Sequence, residues 1–157
     1  MKMSNKKLIL GSDHAGFELK EEIKKFLLES GFEVDDQGAY ALNANDDYPG
    51  FIYKAAKKVA ETNSRGIVFG GSGQGEAIVA NKVPGIRAAL YYGSKTDIVK
   101  LSRTHNDANI LSLGARFLSK KEAIEAVKLW LNTSFNNEER HKRRIKQISK
   151  IEEKTCK

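Results

Sequence analysis

Short apolar runs alternate with helical patterns along the whole chain, and this constrains the fold more than any other feature. Leu8 to Leu10 read as a buried strand ended by Gly11. An amphipathic helix follows, with Phe17, Ile23, Phe26 and Leu27 on one face, and Gly31 stops it after Ser30. Phe32 to Val34 form a second strand, and Ala39 to Asp47 a loop. The next helix carries Ile52, Ala55, Ala56 and Val59 at helical spacing. Ile67 to Phe69 make a third strand, and a glycine-rich turn leads into a short helix near Ala77 to Lys82. A fourth strand over Ile86 to Tyr91 precedes a helix from about Thr96 to Arg103, and Ile110 to Leu113 give a fifth. Ser119 with Glu122 three residues on is a capping box, opening a helix that buries Ala123, Val127, Trp130 and Leu131.

Strands separated by helices predict βαβ units and a parallel sheet covered on both faces. The expected fold is a single α/β domain over residues 1–157: a three-layer, Rossmann-like α/β/α sandwich with a five-stranded parallel sheet. A last helix from about Asn137 carries only a thin stripe of Ile145, Ile148 and Ile151. It is too polar for a core, so its seam is expected to pack on another subunit. Residues 151–157 are expected to fray.

The 157 residues suffice for a full core without disulfides, and the lone cysteine, Cys156, has no partner. No apolar run approaches the ~20 residues that cross a bilayer, and the first one stops too early for a signal peptide. A cytoplasmic enzyme or binding module, with no membrane partner, is the expected class. The net charge of +7 raises nucleic acid as a ligand, but Asn137 to Lys157 alone supplies +4 of it. The body is close to neutral, without a basic stripe interleaved with aromatics, which favours a small anion over nucleic acid.

In such folds ligands bind beyond the carboxyl ends of the strands. Three segments are expected there: Asp13-His14 after the first strand, Gly70-Gly71-Ser72-Gly73-Gln74-Gly75-Glu76 after the third, and His105-Asn106-Asp107 ahead of the fifth. Four glycines in the six residues from Gly70 let backbone amides converge on an anion. The segment lacks the Gly-Lys-Ser/Thr of a Walker loop, and Glu76 stands where a dinucleotide fingerprint needs its third glycine. Glu76 reads either as a complement to the helix dipole or as a general base beside an oxyanion cradle. Of the three histidines, His14 and His105 are candidates and His141 reads as structural. Arg140 and Arg144, spaced i, i+4, share a helix face and can grip a phosphate; spacing alone leaves a solvated face paired with Glu138 and Glu139 equally open. No Cys, His or carboxylate cluster has metal-ligand spacing, so neither a metal nor a cofactor is expected.

Eight segments in order resemble the B-type ribose-5-phosphate isomerases, which share a family with the galactose-6-phosphate isomerase subunits. They run from Leu8-Ile9-Leu10-Gly11-Ser12-Asp13-His14-Ala15-Gly16-Phe17 to Arg140-His141-Lys142-Arg143-Arg144-Ile145. Between them stand Asp47-Tyr48-Pro49, the glycine loop with Glu76, Ala80-Asn81-Lys82, Gly85-Ile86-Arg87-Ala88, His105-Asn106-Asp107-Ala108-Asn109 and Gly114-Ala115-Arg116. The resemblance implies interconversion of ribose 5-phosphate and ribulose 5-phosphate through an enediolate. It implies that Asp13 and His14 contact the sugar and its phosphate, that Gly71, Gly73, Gln74 and Gly75 hold the enediolate, and that Ser72 lies near the transferring oxygens. Tyr48 joins the substrate-binding set. His105 is to assist ring opening, Asn106 to bind sugar hydroxyls, and Arg116, Arg140 and Arg144 to bind phosphate.

Many members use a cysteine base at the position of Gly70; a second branch has glycine there and a glutamate where Glu76 stands, and this chain matches that branch. The resemblance also implies a homodimer, in some members a tetramer, with His105 and Asn106 reaching the partner's Glu76. Two other readings stay open: isomerisation of a hexose 6-phosphate (galactose or allose) or a tetrose 4-phosphate, and a non-catalytic phosphate or nucleic-acid binder.

Overall fold

The computed structural model describes residues 6–156. Five strands form one parallel sheet: β1 (Lys7–Ser12), β2 (Glu33–Asp36), β3 (Arg65–Gly70), β4 (Ala88–Tyr91) and β5 (Ile110–Gly114), in the order β2-β1-β3-β5-β4. The helices are α1 (His14–Glu29), α2 (Tyr48–Thr62), α3 (Gln74–Ala80), α4 (Asp97–Thr104), α5 (Lys120–Asn132) and α6 (Glu139–Thr155). This is the expected three-layer sandwich. Among the described residues no helix is long and apolar enough to cross a membrane.

The central strands are unbroken apolar runs because both sheet faces are covered. Leu8, Leu10, Ile67, Phe69, Leu111 and Leu113 face α1, α4 and α5, packing on Ile23, Leu27, Val99, Val127 and Trp130. Ile9, Val68 and Ile110 point the other way, onto Ile52, Ala55, Ala56 and Val59 of α2 and Ala80 of α3. The capping box at Ser119 and Glu122 forms as expected. At the head of α1, Asp13 Oδ1 accepts the Gly16 amide at 3.1 Å. Having stepped from β1 out to β2, the chain returns on the other side of β1 with β3. The loops leaving β1 and β3 therefore diverge and leave a crevice at their carboxyl ends.

The loop between β2 and α2 is drawn toward that crevice. Ser12 exchanges backbone bonds with it, Ser12 N donating to Gly38 O and Ala39 N to Ser12 O, each 2.7 Å. Asp36, held by the fully buried Lys20 at 2.6 Å, accepts the Gly38 amide at 2.9 Å. Several bounds differ from expectation. β2 runs on to Asp36 because its register with β1 continues to Leu10. β4 starts at Ala88, after a turn in which Gly85 has φ +84° and the Asn81 carboxamide clamps the Ala88 backbone. α6 runs to Thr155, and Glu152 Oε2 accepts the Gly85 amide at 3.1 Å; the last tail residue, Lys157, lies outside the described residues. His141 is the one buried residue of α6, and Ile148 and Ile151 are 42% and 60% exposed.

Candidate active site

Two groups of candidate residues form, at opposite ends of the sheet. The first surrounds the crevice. β1 delivers Asp13 and His14, β3 the glycine loop and Glu76, β5 Arg116, and the β2–α2 loop Asp46 and Tyr48. Arg116 is tied in by its own amide, which donates to Gly71 O at 3.0 Å, after Ala115 N to Gly70 O at 2.8 Å. Its guanidinium lies against Gly71, and the Tyr48 ring and hydroxyl lie against Gly75. Gly73, at φ +78°, turns the chain into α3 with its Cα against the β5 backbone, and the buried Ser112 hydroxyl donates to Gly73 O at 2.7 Å. Ser72 Oγ accepts the Gln74 amide at 3.3 Å. The loop is thus fixed from β5, and it ends in a first helical turn, where amides have no intrahelical acceptor.

Glu76 is 4% exposed although its side chain is a carboxylate. A Cβ at position 70 would overlap that carboxyl group, so only glycine at 70 admits it. A side chain at 70 and a carboxylate from 76 claim the same volume. Burial, opposed by a backbone hydrogen bond and assisted by the Asp13 charge, pushes the Glu76 carboxyl above its usual range.

The second group corrects an expectation. His105 and Asn106 do not line the crevice. α4 begins beyond the carboxyl end of β4 and descends, so the loop after it lies at the amino ends, where the Asn109 amide donates to Arg87 O just ahead of β4. The two ends of the sheet are roughly 15–20 Å apart at about 3.3 Å per strand residue. The rule that selected the other loops should have excluded this one, because a loop entering a parallel strand sits at its amino end. Arg87 and Arg103 hold the loop rigid. Arg87 Nε donates to Asn106 O at 2.9 Å, and Arg103 Nη1 to Asp107 Oδ1 at 2.8 Å and Ala108 O at 2.7 Å.

The start of α6 belongs to this second group. His105 and His141 stack with ring centroids 4.2 Å apart, and the Asn136 amide donates to Thr104 O. Arg140 and Arg144 therefore lie at the His105 end, and Arg140 Nε donates to Glu138 at 2.7 Å. His141, 4% exposed, is buried as its structural reading requires, and burial lowers its pKa.

Sequence reasoning passed over Asp46. The fold brings it to Asp13 and His14, with ligand-type atoms of all three within 4.8 Å, a cluster that linear spacing does not reveal. Within the cluster Asp46 Oδ1 accepts from His14, Asp13 Oδ1 caps α1, and Asp13 Oδ2 lies 3.9 Å from His14 Nδ1. The signal was the loop itself, whose Asp46-Asp47-Tyr48-Pro49 ends on a helix N-terminus. Conversely, Asn81, Arg87 and Asn109, prominent in the motifs, clamp backbone and serve the scaffold.

Comparison with known proteins agrees with this architecture. The family model for Ribose/Galactose Isomerase matches residues 8–148. The ribose-5-phosphate isomerase B of Mycolicibacterium paratuberculosis is 45% identical over 147 residues, 93% of this chain and 91% of the relative. A solved structure of the Clostridium thermocellum ribose-5-phosphate isomerase B superposes with TM-score 0.90 at 45% identity, covering 95% and 99% of the two chains. That of the Mycoplasma genitalium enzyme, crystallised with bound ribulose-5-phosphate, gives TM-score 0.90 at 38% identity, covering 97% and 99%.

Proposed function

Because the chain belongs to the Ribose/Galactose Isomerase family, we propose a mechanism for it in which Glu76 is the base of a ribose-5-phosphate isomerase. The protein is an isomerase whose substrate is a sugar phosphate, interconverting ribose 5-phosphate and ribulose 5-phosphate. The observation that carries the choice of base is the Glu76 carboxylate, buried in the space Gly70 leaves empty.

In the open-chain aldose, Glu76 takes the proton from C2, and the electron pair moves into a C1–C2 double bond while the C1 carbonyl becomes an oxyanion. Amides of the Gly71–Gly75 loop hold that charge. The Ser72 hydroxyl stands where a proton passes from O2 to O1, and Glu76 returns its own proton to C1, leaving a ketone at C2. No electron leaves the substrate, so no redox partner is needed. A carboxyl with a raised pKa takes up a carbon-bound proton more readily. Asp13, His14, Tyr48, Gln74 and Arg116 orient the sugar and its phosphate.

His105, Asn106, Arg140 and Arg144 cannot reach Glu76 of their own chain, so the complete site takes them from a second copy. Support comes from the apolar surface left uncovered near β4 and α6. Ile78, Tyr92, Ile98, Phe117 and Ile151 are about half exposed or more, and a groove of about 510 Å³ is lined by Ile86, Ala88, Asn106, Ile148 and Ile151. The partner's His105 then opens the furanose ring, the partner's Asn106 binds hydroxyls, and the partner's arginines close on the phosphate. A cytoplasmic homodimer is the assembly this reading needs.

The direct test is turnover of ribose 5-phosphate without added metal or nucleotide, against galactose 6-phosphate and allose 6-phosphate. Preference for a hexose phosphate would refute the pentose assignment. The shared site is tested by co-refolding Glu76→Gln with His105→Ala/Asn106→Ala. With random pairing about half the dimers are mixed and carry one intact site of two, so about a quarter of wild-type activity returns. Activity no higher than the parents' average in native-sized dimers would return His105 to its own chain's site.

A further inference from the structure

His14 is the first residue of α1, where both its amide and its ring need a partner, and Asp46, 32 residues away, supplies both. One carboxylate oxygen, Oδ1, accepts the His14 amide at 2.9 Å and contacts Nδ1 at 2.7 Å. The other, Oδ2, is buried without a hydrogen-bond partner, and the Asp46 side chain is only 9% exposed. An enclosed carboxylate is costly to leave charged without a cation beside it, and among the described residues Asp46 forms one ion pair, with His14.

With Nδ1 committed to Asp46, Nε2 is the nitrogen left for a ligand. A neutral imidazole that donates from Nδ1 can only accept at Nε2, whereas an imidazolium donates there as well. An anionic phosphate oxygen needs the donor.

We propose that Asp46 is a positioning residue for the isomerase reaction: it holds His14 through Nδ1, so that the ring presents a charged Nε2–H donor to the substrate phosphate. This rests on the reading above in which His14 contacts that phosphate. The surrounding charges agree. The Asp46 hydrogen bond raises the His14 pKa, burial opposes it, the charges of Asp13 (3.9 Å from Nδ1) and Asp46 raise it further, and Arg116 lowers it. Glu76, whose carboxyl interacts with Asp13, and the Tyr48 hydroxyl also belong to the crevice.

The test is Asp46→Asn in the full-length protein, which keeps an acceptor for the His14 amide and removes the charge. Ribose 5-phosphate kinetics and competitive inhibition by inorganic phosphate are followed from about pH 5.5 to 8.5, with the His14 ring titrated by NMR. Each unit lost from the His14 pKa should weaken phosphate binding by up to about tenfold, the loss growing as pH rises past the variant's pKa and reaching its full size above the wild-type one. The loss should fall on KM and on the phosphate inhibition constant more than on kcat, and disappear at the acid end, where both rings are charged. In a His14→Gln background Asp46→Asn should weaken phosphate binding no further.

A pH-independent loss, or unchanged phosphate affinity, would make Asp46 a mere tether of its loop. Should Asp46→Asn not fold, the wild-type titration decides: a His14 ring titrating at or below the ordinary value overturns the proposal. The NMR titration needs no turnover, so a failure of the isomerase reading would be distinguishable from a failure of this one.

Discussion

Replacing Gly70 by alanine places a methyl group where the Glu76 carboxylate now sits. The Cβ would overlap both carboxyl oxygens and the carbon between them, so the carboxylate must swing out of its pocket. If Glu76 is the base, its displacement costs the usual worth of general-base catalysis, about 10²–10⁴-fold in kcat, or about 3–5 kcal/mol of transition-state stabilisation. Overpacking should add a stability loss of about 1–3 kcal/mol.

The clash between Cβ and carboxylate has a second consequence in combination with Glu76→Ala. Gly70 has no left-handed φ, so alanine fits its backbone once the clash is removed. In that background Gly70→Ala should turn from destabilising to stabilising by about 0.4–1 kcal/mol, through the unfolded chain's lost freedom. The assays are kcat for ribose 5-phosphate and urea unfolding of the four proteins of the cycle. Gly70→Ala retaining more than about a tenth of wild-type kcat would refute the argument, given the lower bound above. So would a stability cost unchanged in the Glu76→Ala background.

Other expectations follow from the same site. Glu76→Gln should lower kcat by about 10²–10⁴-fold with little change in KM; a variant keeping most of its turnover removes Glu76 from the role. The same substitution should stabilise the protein at neutral pH. Because the folded carboxyl titrates above its ordinary 4.5, charging it costs wild-type stability as pH rises through that window, so the difference in thermal stability should vanish below about pH 4.5. Arg140→Ala or Arg144→Ala should each cost about 1.5–3 kcal/mol of substrate affinity and weaken inorganic phosphate in parallel; unchanged affinity for both ligands would leave a solvated basic face. Cys156 caps the end of α6 and is exposed. Its complete alkylation, verified by mass, should leave activity within about twofold; abolished turnover would place the end of α6 in the site.

The elements of the fold were legible because their signals are local. An apolar triplet, a 3.6-residue stripe and a Ser119–Glu122 box each act within one strand or helical turn. The glycine loop and Glu76 were legible for the same reason: strand, turn and helix start are contiguous there. Gly70 could be tied to Glu76 as a pattern, but the volume the two positions share exists only once α3 folds back over the end of β3.

What the sequence alone determined is the succession of strands and helices, the family, and the identity of the chemically equipped loops. Tertiary structure decided where those loops meet. The sheet order puts the ends of β1 and β3 side by side, and it carries Asp46 across 32 residues to His14. It also sends His105, Asn106, Arg140 and Arg144 to the opposite, amino end of the same sheet. Linear spacing cannot supply this, because a side chain's reach covers only a few residues of chain, while the partners of a parallel sheet are set by crossovers whose direction depends on packing both faces at once.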